Sequence, residues 1–176
     1  MRKRHAFLLL LSAVAFAFDG RDLGAAQLPG GTGSFVEPHG DWTVACRGQN
    51  GLVGCVASQM KANPQTGKPM LSVELRASGK GELEGALLLP FGMALSAGVR
   101  LMSDGFPAPL SFSYSTCLPG GCIVPVRFEK AEVGLLRQAA QLRITSIQLS
   151  SGEEVAMPIS LNGFAAALDR AAELAK

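Results

Sequence analysis

The sequence is poor in the side chains that do chemistry. Its 176 residues include two histidines, one tryptophan and one tyrosine, and 17% are charged. His5 falls in a segment that reads as a leader, which leaves His39 for the remainder. One histidine cannot furnish a His-rich metal site. His39 also sits in Val36-Glu37-Pro38-His39-Gly40-Asp41, where turn formers give a general base no orienting partner. It reads as a solvated loop histidine. No Gly-x-Ser-x-Gly elbow is present. Residues 62–69 superficially look like a phosphate loop, but the first glycine is missing and Pro69 replaces the metal-binding hydroxyl. The close carboxylate pairs Glu82/Glu84 and Glu153/Glu154 lie in polar, turn-like segments and read as solvated surface. The methionines at 60, 70, 93, 102 and 157 show no copper-like clustering. No catalytic, cofactor-binding or metal-ligating residue is assigned.

Charge of either sign is also lacking beyond the N-terminus. Residues 1–26 hold four basic and two acidic side chains, and the rest carries twelve of each. A neutral domain is a poor polyanion binder, so nucleic acid is not an expected partner. Long hydrophobic runs are missing as well. Residues 6–18 are apolar apart from Ser12, but 13 residues make a helix of about 20 Å, short of the roughly 30 Å a bilayer core requires. With the basic start Arg2-Lys3-Arg4 and small residues after it, this layout reads as a secretory signal peptide. Cleavage fits after Ala17 or after Ala26. The second is favoured, giving a leader of residues 1–26 and a product starting at Gln27. No cysteine adjoins either site, so no lipoprotein signal is present, and no integral membrane segment is expected once the leader is removed. The expected location is the periplasm or the outside of the cell.

What is there is glycine, proline and short alternating strands. The 21 glycines and 10 prolines imply many turns. Residues 27–40 are expected to form a flexible Gly/Pro-rich lead-in. From Asp41 the pattern changes, and strands fit 42–46, 55–60, 70–76, 84–89, 98–102, 110–116, 122–128, 142–149 and 155–159. In 142–149 the Thr145-Ser146 pair breaks strict alternation and hints at a bulge. A short helix fits 129–139. A stronger one fits 162–175, with Asn162 as its cap and Phe164, Leu168 and Ala171 on one face. The expected fold is mainly β: one β-sandwich-like domain over 41–176 with a short C-terminal helix.

The cysteines number four: Cys46, Cys55, Cys117 and Cys122. An even count behind a leader implies disulfides, and three pairings are possible. Local pairing is favoured. Cys46 and Cys55 flank one turn between neighbouring strands, and Cys117 and Cys122 bracket Leu118-Pro119-Gly120-Gly121. These spacings differ from the C-x-x-C of thiol–disulfide exchange enzymes.

Several ordered signals add a resemblance. They are Gly40-Asp41-Trp42 with Cys46, then Cys55 and Gln59; Leu89-Pro90-Phe91-Gly92; Gly98-Val99-x-Leu101 with Asp104; Cys117-x-Pro119-x-Gly121-Cys122; and Ser160-Leu161-x-Gly163-Phe164 before Ala167-Leu168. Together, over about residues 40–170, they resemble the invasion-associated locus B family of exported bacterial proteins. The resemblance implies a mostly β fold and links some members to host-cell invasion. It supplies no catalytic residues. Pro125, after the last cysteine, points to an edge or bulge in its strand.

The expected function is that of an exported non-enzymatic protein that meets a protein or cell-envelope partner, with host-cell invasion as one outcome. The alternatives are a periplasmic enzyme with a carboxylate site, or a redox or metal-handling protein. The expected contact region is residues 90–109, which is rich in Gly and Pro yet carries Phe91, Met93, Leu95, Met102 and Phe106.

Overall fold

The structure is a computed structural model that describes residues 28–175 apart from 64, 66 and 68. The leader assigned to residues 1–26 lies outside the described residues. Two antiparallel sheets carry the fold. The larger has the order β1-β2-β3-β4-β5-β9-β8, formed by β1 (Ser34–His39), β2 (Trp42–Gln49), β3 (Leu52–Ala62), β4 (Pro69–Ala77), β5 (Leu83–Leu89), β9 (Gly121–Phe128) and β8 (Thr116–Leu118). The smaller has the order β11-β10-β6-β7, formed by β11 (Glu154–Ser160), β10 (Gln141–Ile147), β6 (Val99–Ser103) and β7 (Leu110–Phe112). Helix α1 (Lys130–Leu136) follows β9, and α2 (Phe164–Leu174) follows β11.

Period-two patterning sets the buried faces. Trp42, Val44 and Cys46 point inward on β2, as do Leu71, Val73 and Leu75 on β4 and Cys122, Val124, Val126 and Phe128 on β9. The smaller sheet contributes Val99, Leu101, Leu142, Ile144, Met157 and Ile159 to the same core. Helix α2 buries Phe164, Ala167, Leu168 and Ala171, an i, i+3, i+4, i+7 stripe, and packs on β1 to β4. The sheets also touch through Phe112 of β7 and Phe128 of β9, whose rings meet edge to face with centroids 6.2 Å apart.

Some elements differ from the sequence reading. The lead-in is not a free linker through residue 40. Leu28 is buried in the core, and residues 34–39 form β1, paired from Ser34↔Arg47 to His39↔Trp42. Gly/Pro content hid this strand because an edge position tolerates Pro38. The 110–116 segment does not stay in one sheet. It leaves the smaller sheet after Phe112 and joins the larger at Thr116. Strand β10 has no bulge: its register runs evenly against both β6 and β11. Alternation survives because Ser146 takes a core position, its Oγ 2.9 Å from the Tyr114 hydroxyl. The irregular register lies instead between Lys61 and Ala62 of β3. The cap of helix α2 falls one residue later than expected, on Gly163 in a left-handed conformation (φ 84°) rather than on Asn162. Helix α1 starts as a capping box, in which the Glu132 carboxylate accepts the Glu129 N–H at 2.7 Å. Pro125 sits past the short strand β8, which pairs only with Gly121, Cys122 and Ile123, so β9 is an edge there.

Candidate contact surface

Many of the ordered signals in the sequence converge on one junction, where β2, β3 and the end of β11 meet the start of α2. The Trp42 indole N–H donates to the Ser160 carbonyl at 2.9 Å. The Gln59 amide donates to the same carbonyl at 3.0 Å, and the Ser160 N–H donates back to Gln59 Oε1 at 3.2 Å. This satisfies a buried glutamine, whose polar ends would otherwise be costly in the core. The Phe164 ring stacks at a tilt on Trp42, 4.9 Å between centroids. Gly40 and Gly163 let the β1–β2 turn touch the helix start. A Cβ on Gly40 would come within 2.8 Å of the Asn162 carbonyl oxygen, and one on Gly163 would collide with the His39 carbonyl. These residues build the frame and leave no reactive group exposed.

His39 ends β1 and faces the helix side. Its Nε2 lies 3.0 Å from Glu37 Oε1, and its side chain is largely shielded. The solvated-loop reading is therefore corrected: pairing with β2 fixes its backbone. Glu37 in turn accepts from Arg170 of α2 at 3.1 Å, and Arg170 donates to Glu173 at 3.0 Å. Glu173 and Glu37 hold the Arg170 guanidinium above its usual pKa. The same guanidinium stands 5.6 Å above the Phe35 ring. This chain of charges fastens the edge strand β1 to α2. The carboxylate pairs are similarly engaged. Glu82 accepts from Arg127 at 2.5 Å, Glu84 pairs with Arg76 at 2.8 Å, and Glu154 pairs with Arg100. Among the described residues, no group of three His, Cys, Asp or Glu side chains is placed to share a metal ion.

The cysteines form two disulfides, Cys46–Cys55 and Cys117–Cys122. Each pair sits directly opposite across a hairpin, β2 against β3 and β8 against β9. The first faces the core and the second clips the short strand β8 to its neighbour.

The residues of the 90–109 segment separate. Phe106 is 6% exposed and belongs to the core, so it leaves the contact surface. Its loop turns inward, with the Phe106 N–H donating to the Ser103 carbonyl. Met93 is half-buried and pairs as an isolated bridge with Gln148. Met102 is 39% exposed on the outer face of the smaller sheet, opposite Arg143. Phe91 is 58% exposed and Leu95 47%. The segment that carries them zips onto the end of β10: Leu149 N–H donates to the Gly92 carbonyl and Ala94 N–H to the Ile147 carbonyl, both at 2.8 Å. This pairing ties Leu149, 70% exposed, to the backbone of the segment that carries the exposed Phe91 and Leu95, an apolar ledge. The sequence reading missed Leu149 because alternation placed it on a core face. The signal against that was the turn Ser150-Ser151-Gly152 immediately after it.

The geometry can be set beside known proteins. The sequence profile described as Invasion associated locus B (IalB) protein matches residues 42–172. Two Brucella abortus proteins named Invasion protein B homolog are 42% identical to the chain over 152 residues, covering 86% of this chain and 87% of theirs. Invasion protein B of Bartonella bacilliformis is 33% identical over 174 residues, covering 96% of this chain and 93% of its own. The crystal structure of invasion associated protein b from Bartonella henselae superposes with a TM-score of 0.74 at 31% identity, covering 80% of this chain and 96% of that one.

Proposed function

Because the chain belongs to the invasion associated locus B family, we propose that it is an exported protein that works by contact rather than by turnover. The observation that carries this reading is the ledge of Phe91, Leu95 and Leu149. Water-exposed phenylalanine and leucine on paired backbone are the kind of anchor that a protein partner buries. Two disulfides support an oxidising compartment. Among the described residues no helix is long and apolar enough to cross a membrane. His39 lies against Glu37 within β1, and Glu82, Glu84 and Glu154 serve in ion pairs that join elements of the frame. The relatives named Invasion protein B support host-cell invasion as the process served, and the proposed partner is a protein or an envelope component.

Complementation of a gene deletion tests the reading. The variant Phe91→Ser/Leu149→Ser, exported and folded normally, is expected to fail to restore invasion or envelope behaviour. A variant with His39→Gln, Glu153→Gln and Glu154→Gln is expected to restore it fully. The opposite pattern would place the activity in the ionisable groups and favour an enzyme.

A further inference from the structure

A groove of about 610 Å³ opens between α1 and α2, above the ends of β3, β4 and β5. That volume lies in the range of small-molecule sites, about 300–1,000 Å³. Its interior is aliphatic, with Val53, Leu75, Val133 and Leu168 among its walls. Among the described residues no aromatic ring, hydroxyl or side-chain amide lines it. Sugars and nucleobases, which need such groups for stacking and hydrogen bonding, are poor occupants. A peptide would bring backbone N–H and C=O groups against walls with little to satisfy them.

The charged lining residues decide what the open end of an occupant carries. Three are cationic, Arg76, Lys130 and Arg137, and one is anionic, Glu82. Glu82 is held by Arg127, Arg76 by Glu84, and Arg137 by Asp169 at 2.7 Å across the two helices. Lys130 makes no ion pair among the described residues. Its alkyl stem lies over Gly81, where a Cβ would come within 3.3 Å of Lys130 Cγ, and both residues line the groove.

We propose that the groove binds a long-chain fatty acid, its aliphatic chain lying between α1 and α2 and its carboxylate beside Lys130. The apolar walls recognise the chain by area alone, and Lys130 recognises the anionic end. This site is separate from the Phe91 ledge and does not depend on the contact reading.

The test is a fluorescence titration of the full mature protein with a dansyl-labelled undecanoic acid, followed by displacement with palmitate. The expected result is saturation at one probe per chain and displacement by palmitate below its own aggregation concentration. Palmitate methyl ester should compete about three- to fivefold more weakly, the scale of one partly solvated ion pair. Lys130→Met should weaken palmitate by about the same factor and leave the ester unchanged. Ala172→Phe, an exposed position in the groove wall, should weaken both ligands about tenfold or more by filling the space. Thermal unfolding of the two variants confirms that each remains folded, and either variant alone suffices to decide. Absence of saturable binding, an ester as tight as the acid, or unchanged affinity in the folded variants would overturn the assignment. So would binding seen only with anionic phospholipid vesicles.

Discussion

Trp42 and Phe164 lie 122 positions apart in the chain, yet their rings meet at 4.9 Å with an interplanar angle of 54°. That contact joins the large sheet to α2, and Ser160, the residue that ends β11, closes it through its carbonyl. Both rings are fully buried. Phe164→Ala is therefore expected to cost about 3–5 kcal/mol in denaturant unfolding. A loss below about 1 kcal/mol would mean that the helix is not part of the core. Gly163→Ala should also destabilise, since its left-handed φ and the nearby His39 carbonyl both oppose a Cβ.

The disulfides act on two different parts of the sheet. Cys46→Ala/Cys55→Ala is expected to lower stability by about 2–3 kcal/mol without abolishing folding, because each closed loop is short. Non-reducing peptide mapping should yield the linkages Cys46–Cys55 and Cys117–Cys122 and no cross-link between the two pairs.

Tyr114 gives a spectroscopic report on the sheet crossing. It is the single tyrosine of the chain, and burial pushes its phenol pKa up, partly offset by the Ser146 hydroxyl. Folding favours the neutral phenol. Its contribution to stability is thus complete below the ordinary phenol pKa and is lost as pH rises through the raised folded value. Tyrosinate absorbance of the native protein should appear at higher pH than that of the urea-unfolded chain. Identical titrations would contradict the buried placement.

Export has its own direct check. The mature protein recovered from the periplasm or medium is expected to begin at Gln27. A start at Phe18 would move only the cleavage site, and a chain still beginning at Met1 in the inner membrane would refute export.

Alternation made the centre of the fold legible. Leu71, Val73 and Leu75 announce β4, and Phe164, Leu168 and Ala171 announce α2, because burial on one face leaves its period in the sequence. Edges left a weaker trace. Strand β1 packs only Phe35, Glu37 and His39 partly, so its pattern carries little hydrophobic contrast and its Pro38 reads as linker. Ser146 broke the pattern of β10 because its hydroxyl is satisfied inside the core by Tyr114, a partner 32 residues away. For the contact surface, composition brought out the 90–109 segment but could not separate Phe106, which turns inward, from Phe91, which does not. Leu149 joined the ledge through backbone pairing with Gly92, a long-range relationship that local sequence does not encode.

The contact reading rests on the ledge, and a photocross-linking residue placed there tests it most directly. A benzophenone side chain at Phe91 or Leu149, activated in intact cells during host contact or normal envelope growth, is expected to give one discrete adduct of the same mass from both positions. The same probe at Met102, on the outer face of the smaller sheet, is expected to give none. No adduct from Phe91 and Leu149, or the same adduct from all three positions, would contradict a partner seated on the ledge.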